Sequence, residues 1–295
     1  MGVDVTAIFE EQRGRLFGIA YRMLGTVADA EDVVQDAWVR WSQVTAVVEM
    51  PGAYLARTVT NLALNRLGSA AVQREWYVGP WLPEPLVTAP DVADEVVEGE
   101  ALAESVSLAM LVVLETLSPL ERAVFVLREV FGYPHAEIAL ALDRSESAVR
   151  QLARRAKSHV QARRPRFGTT PEEQHRVTEE FLAACVGGEL GVVMELLAPD
   201  VTVWSDGGGR NSAALRPVRG AENVARFLLG VTRKLGSQFM VHPATVNGRP
   251  GAVVTFHGLV NTVSSLEVAD GRIREVYILR NPDKLQHVRV PGRPG

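Results

Sequence analysis

The stretch from Ser118 to Arg166 constrains this chain most, because it carries start and stop signals for three consecutive helices. Ser118-Pro119-Leu120-Glu121 is a capping box with proline at the first helical position, so a helix begins there. Ala123, Val124, Leu127, Val130 and Phe131 keep one face apolar, and Gly132 supplies a left-handed stop. A second helix, from His135 to Leu142, buries Ile138, Ala139 and Leu142. Asp143-Arg144 makes the turn, aspartate tolerating the left-handed region better than most residues, and Ser145 caps a third helix. In that helix Val149, Leu152, Ala156 and Val160 fall on one side; Ser147, Arg150, Gln151 and Arg154 fall on another.

Short helices, a tight turn and a last helix with hydrogen-bonding side chains near its start spell a helix-turn-helix. In that motif the last helix enters the DNA major groove. From Arg144 to Arg166 there are eight lysines or arginines and one acid, Glu146. Such a face gains affinity by neutralising phosphates and releasing counterions. The same pattern fits a plain helical hairpin with a solvated basic face. The charge and the order of the helices together predict DNA binding.

The basic helix is a local feature, since the net charge of the 295 residues is only −4. With 47% hydrophobic and 22% charged residues, the length predicts about two globular domains. A single cysteine, Cys185, excludes an internal disulfide framework and a cysteine-cluster zinc site, and its apolar helical setting reads as core. No metal site, cofactor or catalytic residue set is expected. A leader pattern and a membrane-spanning run are both missing from the sequence, which predicts a cytoplasmic protein without membrane contact.

The first 68 residues read as helical. Phe9, Leu16, Ile19, Ala20 and Met23 recur at helical spacing up to Leu24, and Gly25-Thr26 breaks the run. Thr26 or Asp29 is placed to cap the next helix, in which Val34, Trp38 and Trp41 form one stripe and Asp32, Gln35 and Asp36 another. An acidic stripe is most often a solvated face. Pro51 opens a third helix with Leu55, Val59 and Leu62 inward and Arg57, Asn61 and Asn65 recurring on its other side. Asparagine and arginine reach base edges and phosphates, and are equally common as surface residues.

Together, DAEDVVQDAWVRW followed by PGAYLARTVTNLALNRL resembles region 2 of the extracytoplasmic-function sigma factors, and Ser118 to Val160 resembles their region 4. The resemblance implies that Asp29, Glu31, Asp32, Gln35 and Asp36 bind core RNA polymerase at its β′ clamp, with the β subunit a further partner. It implies that Tyr54, Arg57, Asn61 and Asn65 read and melt the −10 element of promoter DNA. Ser145, Ser147, Arg150, Gln151, Arg154 and Arg155 are then the −35 readers. Tyr54 stands where many relatives carry tryptophan, and Asn65 where many carry aspartate. The family captures a flipped base in the loop from Ser42 to Met50, whose content here is mostly apolar.

Between Ser69 and Thr116 lies a connector whose middle, Tyr77 to Leu86, is proline-rich, stiff and extended. Trp81, Leu82 and Leu86 suit docking in a groove, or tucking against a neighbouring helix. The segment from Asp91 to Glu104 is acidic. After Arg166 two helices precede strands at Val201 to Trp204, Leu215 to Val218, Gln238 to Val246, Ala252 to Phe256, Leu259 to Val268 and Ile273 to Leu279, with a helix from Ala221 to Leu235 among them. Turn signals such as Asp270-Gly271 make this an α+β pattern of antiparallel strands. It resembles the SnoaL-like, cone-shaped barrel of the nuclear transport factor 2 superfamily, which sigma factors of the SigJ type carry as a C-terminal extension.

Three motifs sharpen that resemblance: Trp81-Leu82-Pro83-Glu84-Pro85-Leu86, Asp206-Gly207-Gly208-Gly209-Arg210 and Asn281-Pro282-Asp283-Lys284-Leu285. The expected fold is therefore multidomain: all-α region 2 (1–68), a linker (69–110), an all-α helix-turn-helix region 4 (111–167) and an α+β SnoaL-like domain (168–295). The resemblance implies regulation in cis, and the expectation is that the Asp206 to Arg210 loop and the Asn281 to Leu285 tail hold the last domain against region 2 and the proline-rich connector. Such a switch needs an effector, a small molecule or a protein, that distinguishes two domain arrangements. Trp204, Asp206, His242, His257 and Arg280 are the candidate lining of a pocket in the cone, without a spacing that compels acid–base roles. Two other readings are a DNA-binding regulator that works without polymerase and an enzyme tethered to DNA.

Overall fold

The computed structural model describes residues 5–88, 106–163, 169–236 and 238–291, so the acidic segment from Asp91 to Glu104 lies outside the described residues. The chain divides into two compact units. One holds the N-terminal helices and the helix-turn-helix; the other holds the C-terminal sheet and, with it, connector residues 76–88.

The first unit is helical throughout. Helices α1 (Val5–Leu24), α2 (Val27–Ser42) and α3 (Pro51–Glu75) pack through Leu16, Ile19, Met23, Val33, Trp41, Leu55 and Val59. Helix α3 runs on beyond Gly68 to Glu75. Thr26 occupies the cap position of α2 without capping it: its hydroxyl donates to Asp29 Oδ2 at 2.5 Å instead of accepting a backbone N–H. Helix α4 (Leu108–Glu115) leads to α5 (Pro119–Phe125), where Ser118 and Glu121 complete the capping box.

The single helix expected from Ser118 to Phe131 is interrupted. A π-helical turn, Val126–Val130, closes with Phe131 N–H on the Val126 carbonyl at 3.2 Å. This wider turn swings Phe131 towards α1, where the Arg15 and Arg22 guanidinia stand 5.8 and 5.3 Å from its ring centre. Gly18 makes the approach possible, since a Cβ there would lie 2.9 Å from Arg22 Nη1 and 3.2 Å from Phe131 Cζ. Burial lowers the Arg22 pKa to about 10. Helices α6 (His135–Leu142) and α7 (Glu146–Arg163) complete the motif, with Asp143 left-handed at φ 51° between them.

In the second unit α8 (Pro171–Gly187) is capped by Thr170, and Gly188 ends it in the left-handed region. Helices α9 (Leu190–Leu196) and α10 (Ala221–Leu235) join it in covering one face of a seven-stranded sheet. The strands are β1 (Val87–Thr88), β2 (Leu197–Asp206), β3 (Val218–Arg219), β4 (Phe239–Val246), β5 (Arg249–Phe256), β6 (Leu259–Ala269) and β7 (Arg272–Leu279), in the order β1-β4-β5-β6-β7-β2-β3. The strand expected from Leu215 shrinks to Val218–Arg219.

Two features depart from the expected antiparallel run. Strand β2 pairs parallel with β7, which the long crossover through α10 and the hairpins allows. The connector itself contributes β1, paired with β4 at the sheet edge, where neighbouring prolines cost no interior hydrogen bond. Val177, Phe181, Val193, Val201, Val203, Val224, Leu266 and Val276 fill the core between helices and sheet. Cys185 packs at the margin of that core, and burial pushes its thiol up to about 12.

Candidate functional site

Helix α7 sorts its side chains as the spacing predicts. Val149, Leu152, Ala156 and Val160 are buried; Ser145, Ser147, Arg150, Gln151, Arg154 and Arg155 are all exposed. Ser145 Oγ accepts the Ala148 N–H at 3.3 Å, so one hydroxyl starts the helix and faces solvent. Arg150 pairs with Glu146 one turn earlier at 2.5 Å. Arg155 reaches back to Glu121 of α5 at 3.1 Å, which fixes it against the body of the motif. A hollow of about 660 Å³ flanks the helix, lined by Gln151, Arg154, Arg155 and Arg163 among others.

On α2 the acidic residues separate into two kinds. Glu31, Asp32, Gln35 and Asp36 are exposed, whereas Asp29 is half-buried. Arg66 of α3 bridges Asp29 at 2.8 Å and Asp32 at 2.5 Å, tying the start of α2 to α3. Spacing along α2 gave no sign of Arg66, because its partners come from another helix.

On α3, Tyr54, Arg57 and Asn65 are exposed, and the Tyr54 ring lies 5.7 Å from that of Trp41. Val47 and Met50 in the preceding loop are exposed as well. Asn61 differs: its amide donates to the Ala141 carbonyl of α6 at 3.2 Å, so the helix-turn-helix holds it. Further ties between the two helical regions are Arg122 to the Met23 carbonyl at 2.6 Å and Arg15 to the Phe131 carbonyl at 3.0 Å.

The second unit brings the three short motifs to one carboxylate. Asp206, fully buried, accepts from Tyr77 Oη at 2.5 Å, Gly208 N at 3.0 Å, Leu82 N at 2.9 Å and Lys284 Nζ at 2.8 Å. Lys284 also donates to the Leu82 carbonyl and stands over the rings of Trp81 and Tyr77, 4.1 and 4.9 Å from their centres. Asn281 donates to Tyr77 Oη at 2.9 Å, and Arg210 pairs with Asp283 at 3.0 Å. Gly208 is left-handed beneath Asn281, where a Cβ would fall 2.4 Å from the amide. Burial and the Asp206 carboxylate raise the Tyr77 pKa, so the phenol stays a donor.

From this clasp the connector crosses to the β4–β5 turn. Leu86 N–H donates to Asn247 Oδ1 at 3.1 Å and His287 reaches the Pro85 carbonyl at 2.8 Å, while Leu82, Pro83, Glu84 and Pro85 are buried. All three motifs thus meet, and Tyr77, Asn247 and His287 are clasp members that motif matching missed.

The candidate pocket lining does not converge inside the helix-covered core. Val201 and Val203 face the helices, so Trp204 and Asp206 face away by the two-residue period of a strand. His242 shares their face through the row His242, Val253, Val263, Leu279 and Asp206. His257 sits in the β5–β6 turn at φ 50°, and Arg280 binds the Ser212 carbonyl at 2.6 Å.

Residues 8–72 match the model for Sigma-70 region 2, and residues 107–160 match that for Sigma-70, region 4. The ECF RNA polymerase sigma factor SigJ of Mycobacterium tuberculosis (strain ATCC 25618 / H37Rv) is 41% identical over 286 residues, covering 94% of this chain and 91% of the relative. This chain belongs to the extracytoplasmic-function sigma factors. The crystal structure of the M. tuberculosis SigJ superposes with a TM-score of 0.79 at 36% identity, over 97% of this chain and 99% of that one. The probable sigma factor SigI of the same species (strain CDC 1551 / Oshkosh) is 31% identical over 300 residues, 97% of this chain and 96% of its own. As a sigma factor, the protein acts in promoter recognition and transcription initiation, with regions 2 and 4 helical and an α+β sheet domain after them. None of its helices, among the described residues, is long and apolar enough to cross a membrane.

Proposed function

We propose that α7 reads the upstream promoter element, that α3 and its preceding loop read and open the downstream one, and that the C-terminal domain regulates both in cis by gripping the connector. Arg150 and Arg154, on the solvent face of α7, reach guanine edges or phosphates; Ser145 and Ser147 near its start offer exposed hydroxyls to the DNA backbone. Tyr54, with Val47 and Met50, offers an unstacked base an aromatic and apolar surface, and Arg57 and Asn65 supply polar contacts beside it. Glu31, Asp32, Gln35 and Asp36 form the exposed ridge for core polymerase, with the β′ clamp as the docking partner and β as the partner of region 4.

The observation that carries the regulatory reading is the convergence of Tyr77, Leu82 and Lys284 on buried Asp206. A connector held at these points is no longer a free tether, so docking changes which separations of regions 2 and 4 are accessible. The bond from Asn61 to Ala141 adds a second requirement: α3 and α6 must part before Asn61 meets DNA.

In vitro transcription with purified core enzyme tests both parts. Promoter-specific transcripts are expected from the intact chain, and altered output on deletion from Asn281 onward. Absence of start-site selectivity would remove the first part; unchanged output after the deletion would remove the second.

A further inference from the structure

Beside the clasp lies a cleft of about 390 Å³, within the size range of small-molecule sites. Its walls come from two separate segments: Val78 and Gly79 of the connector on one side, and the loop from Gly207 to Leu215 on the other. Two of these apolar side chains are poorly covered, Val78 at 52% and Leu215 at 68% exposure. Arg210 is a charged side chain in the lining, 65% exposed and paired at the surface with Asp283. Gly79 and Gly209 are both left-handed, and a Cβ on Gly209 would press on Val78 at 3.3 Å. Glycine at these two positions keeps the walls thin and the cleft open.

We infer that this cleft binds a small amphipathic anion, its acidic group on Arg210 and its apolar body between Val78 and Leu215. Arg210 selects the charge: an exposed ion pair such as that with Asp283 is weak, so an incoming carboxylate, sulfonate or phosphate shares or takes the guanidinium at little cost. Ser212 and the loop backbone add polar partners. Covering Val78 and Leu215 supplies the apolar contribution. Because the cleft has both walls only while the connector is docked, an occupant binds that state alone and shifts the population towards it. The effect on transcription rests on the cis-regulatory reading above, whereas binding itself is read without polymerase.

Anilinonaphthalene sulfonate, an aromatic sulfonate whose fluorescence rises on leaving water, is the probe. With the full chain one saturable site is expected. Arg210→Ala and Leu215→Ser each weaken it at least about tenfold, and Arg210→Lys retains it. Since both altered residues are mostly exposed, these variants keep the fold, which far-ultraviolet circular dichroism verifies. Saturating probe also slows hydrogen exchange in the peptide spanning residues 77–86. Absence of a saturable site, indifference to both substitutions, or unchanged or faster exchange in that peptide would each overturn the inference. If binding holds while deletion from Asn281 leaves transcription unchanged, the cleft stands and the regulatory reading falls.

Discussion

Two ion pairs of similar length do opposite work in this molecule. Arg150 and Glu146 on α7 meet at 2.5 Å with side chains 66% and 44% exposed, while Lys284 and Asp206 meet at 2.8 Å with 6% and 0% exposed. The exposed pair is screened by water and salt, so separating Arg150 from Glu146 costs little, as the DNA-reading role proposed for α7 requires. The buried pair has lost its water, and each charge depends on the other and on the surrounding donors. The first arrangement suits the reversible recognition proposed for α7, and the second fixes a defined path for the connector.

The largest effect is expected at Asp206. Replacing it with alanine leaves the Lys284 ammonium buried without its counter-charge, and about 3–5 kcal/mol of stability in the C-terminal unit is the expected loss. Denaturant unfolding of the full chain, with hydrogen exchange at residues 77–86, measures it. A cost near that of a surface pair would remove the distinction. Next, Arg154→Ala weakens binding at the upstream element by about 1–3 kcal/mol if the contact to guanine is bidentate, with the thermal midpoint unmoved. Fluorescence anisotropy on promoter DNA reads the first, and a melting curve the second.

A smaller effect is expected on α2, where Asp29 is half-buried and ion-paired while Asp36 is exposed. Asp36→Lys lowers polymerase affinity and changes stability by less than about 0.5 kcal/mol, as expected of a surface site. Asp29→Lys also disturbs the fold, because Asp29 holds Arg66 and Thr26. Equal melting curves for the two variants would show that the stripe acts as a single surface.

The smallest effect is a pH dependence at Glu275. Burial raises its carboxyl pKa above the ordinary glutamate range, opposed by the hydroxyl of Tyr277. Its contribution to stability is therefore complete below about 4.3, the unfolded value, and is lost as pH rises through the higher folded value. Glu275→Gln flattens that part of the curve of thermal midpoint against pH; a curve identical to the parent's assigns the dependence to other groups.

Much of the helical unit was legible in the sequence because its signals are local. The capping box at Ser118, the left-handed Asp143 and the apolar spacing of α7 each act within a few residues, and each appears in the structure. The π-helical turn was not legible, since the partners of Phe131 are arginines on α1. The same limit hid the bond of Asn61 to Ala141 and the bridge from Arg66 to two acids. Strand periodicity located most of the sheet and missed two pairings that join distant segments, β2 with β7 and the connector with β4.

By its sequence alone the chain was committed to two helical regions and an α+β domain, because capping, turn geometry and hydrophobic period depend on neighbours along the backbone. Tertiary structure decided that Tyr77, Leu82, Asn281 and Lys284 gather around Asp206, and that the connector becomes an edge strand of the C-terminal sheet. A buried carboxylate must find its donors wherever the folded backbone brings them, and spacing along the chain holds no record of that.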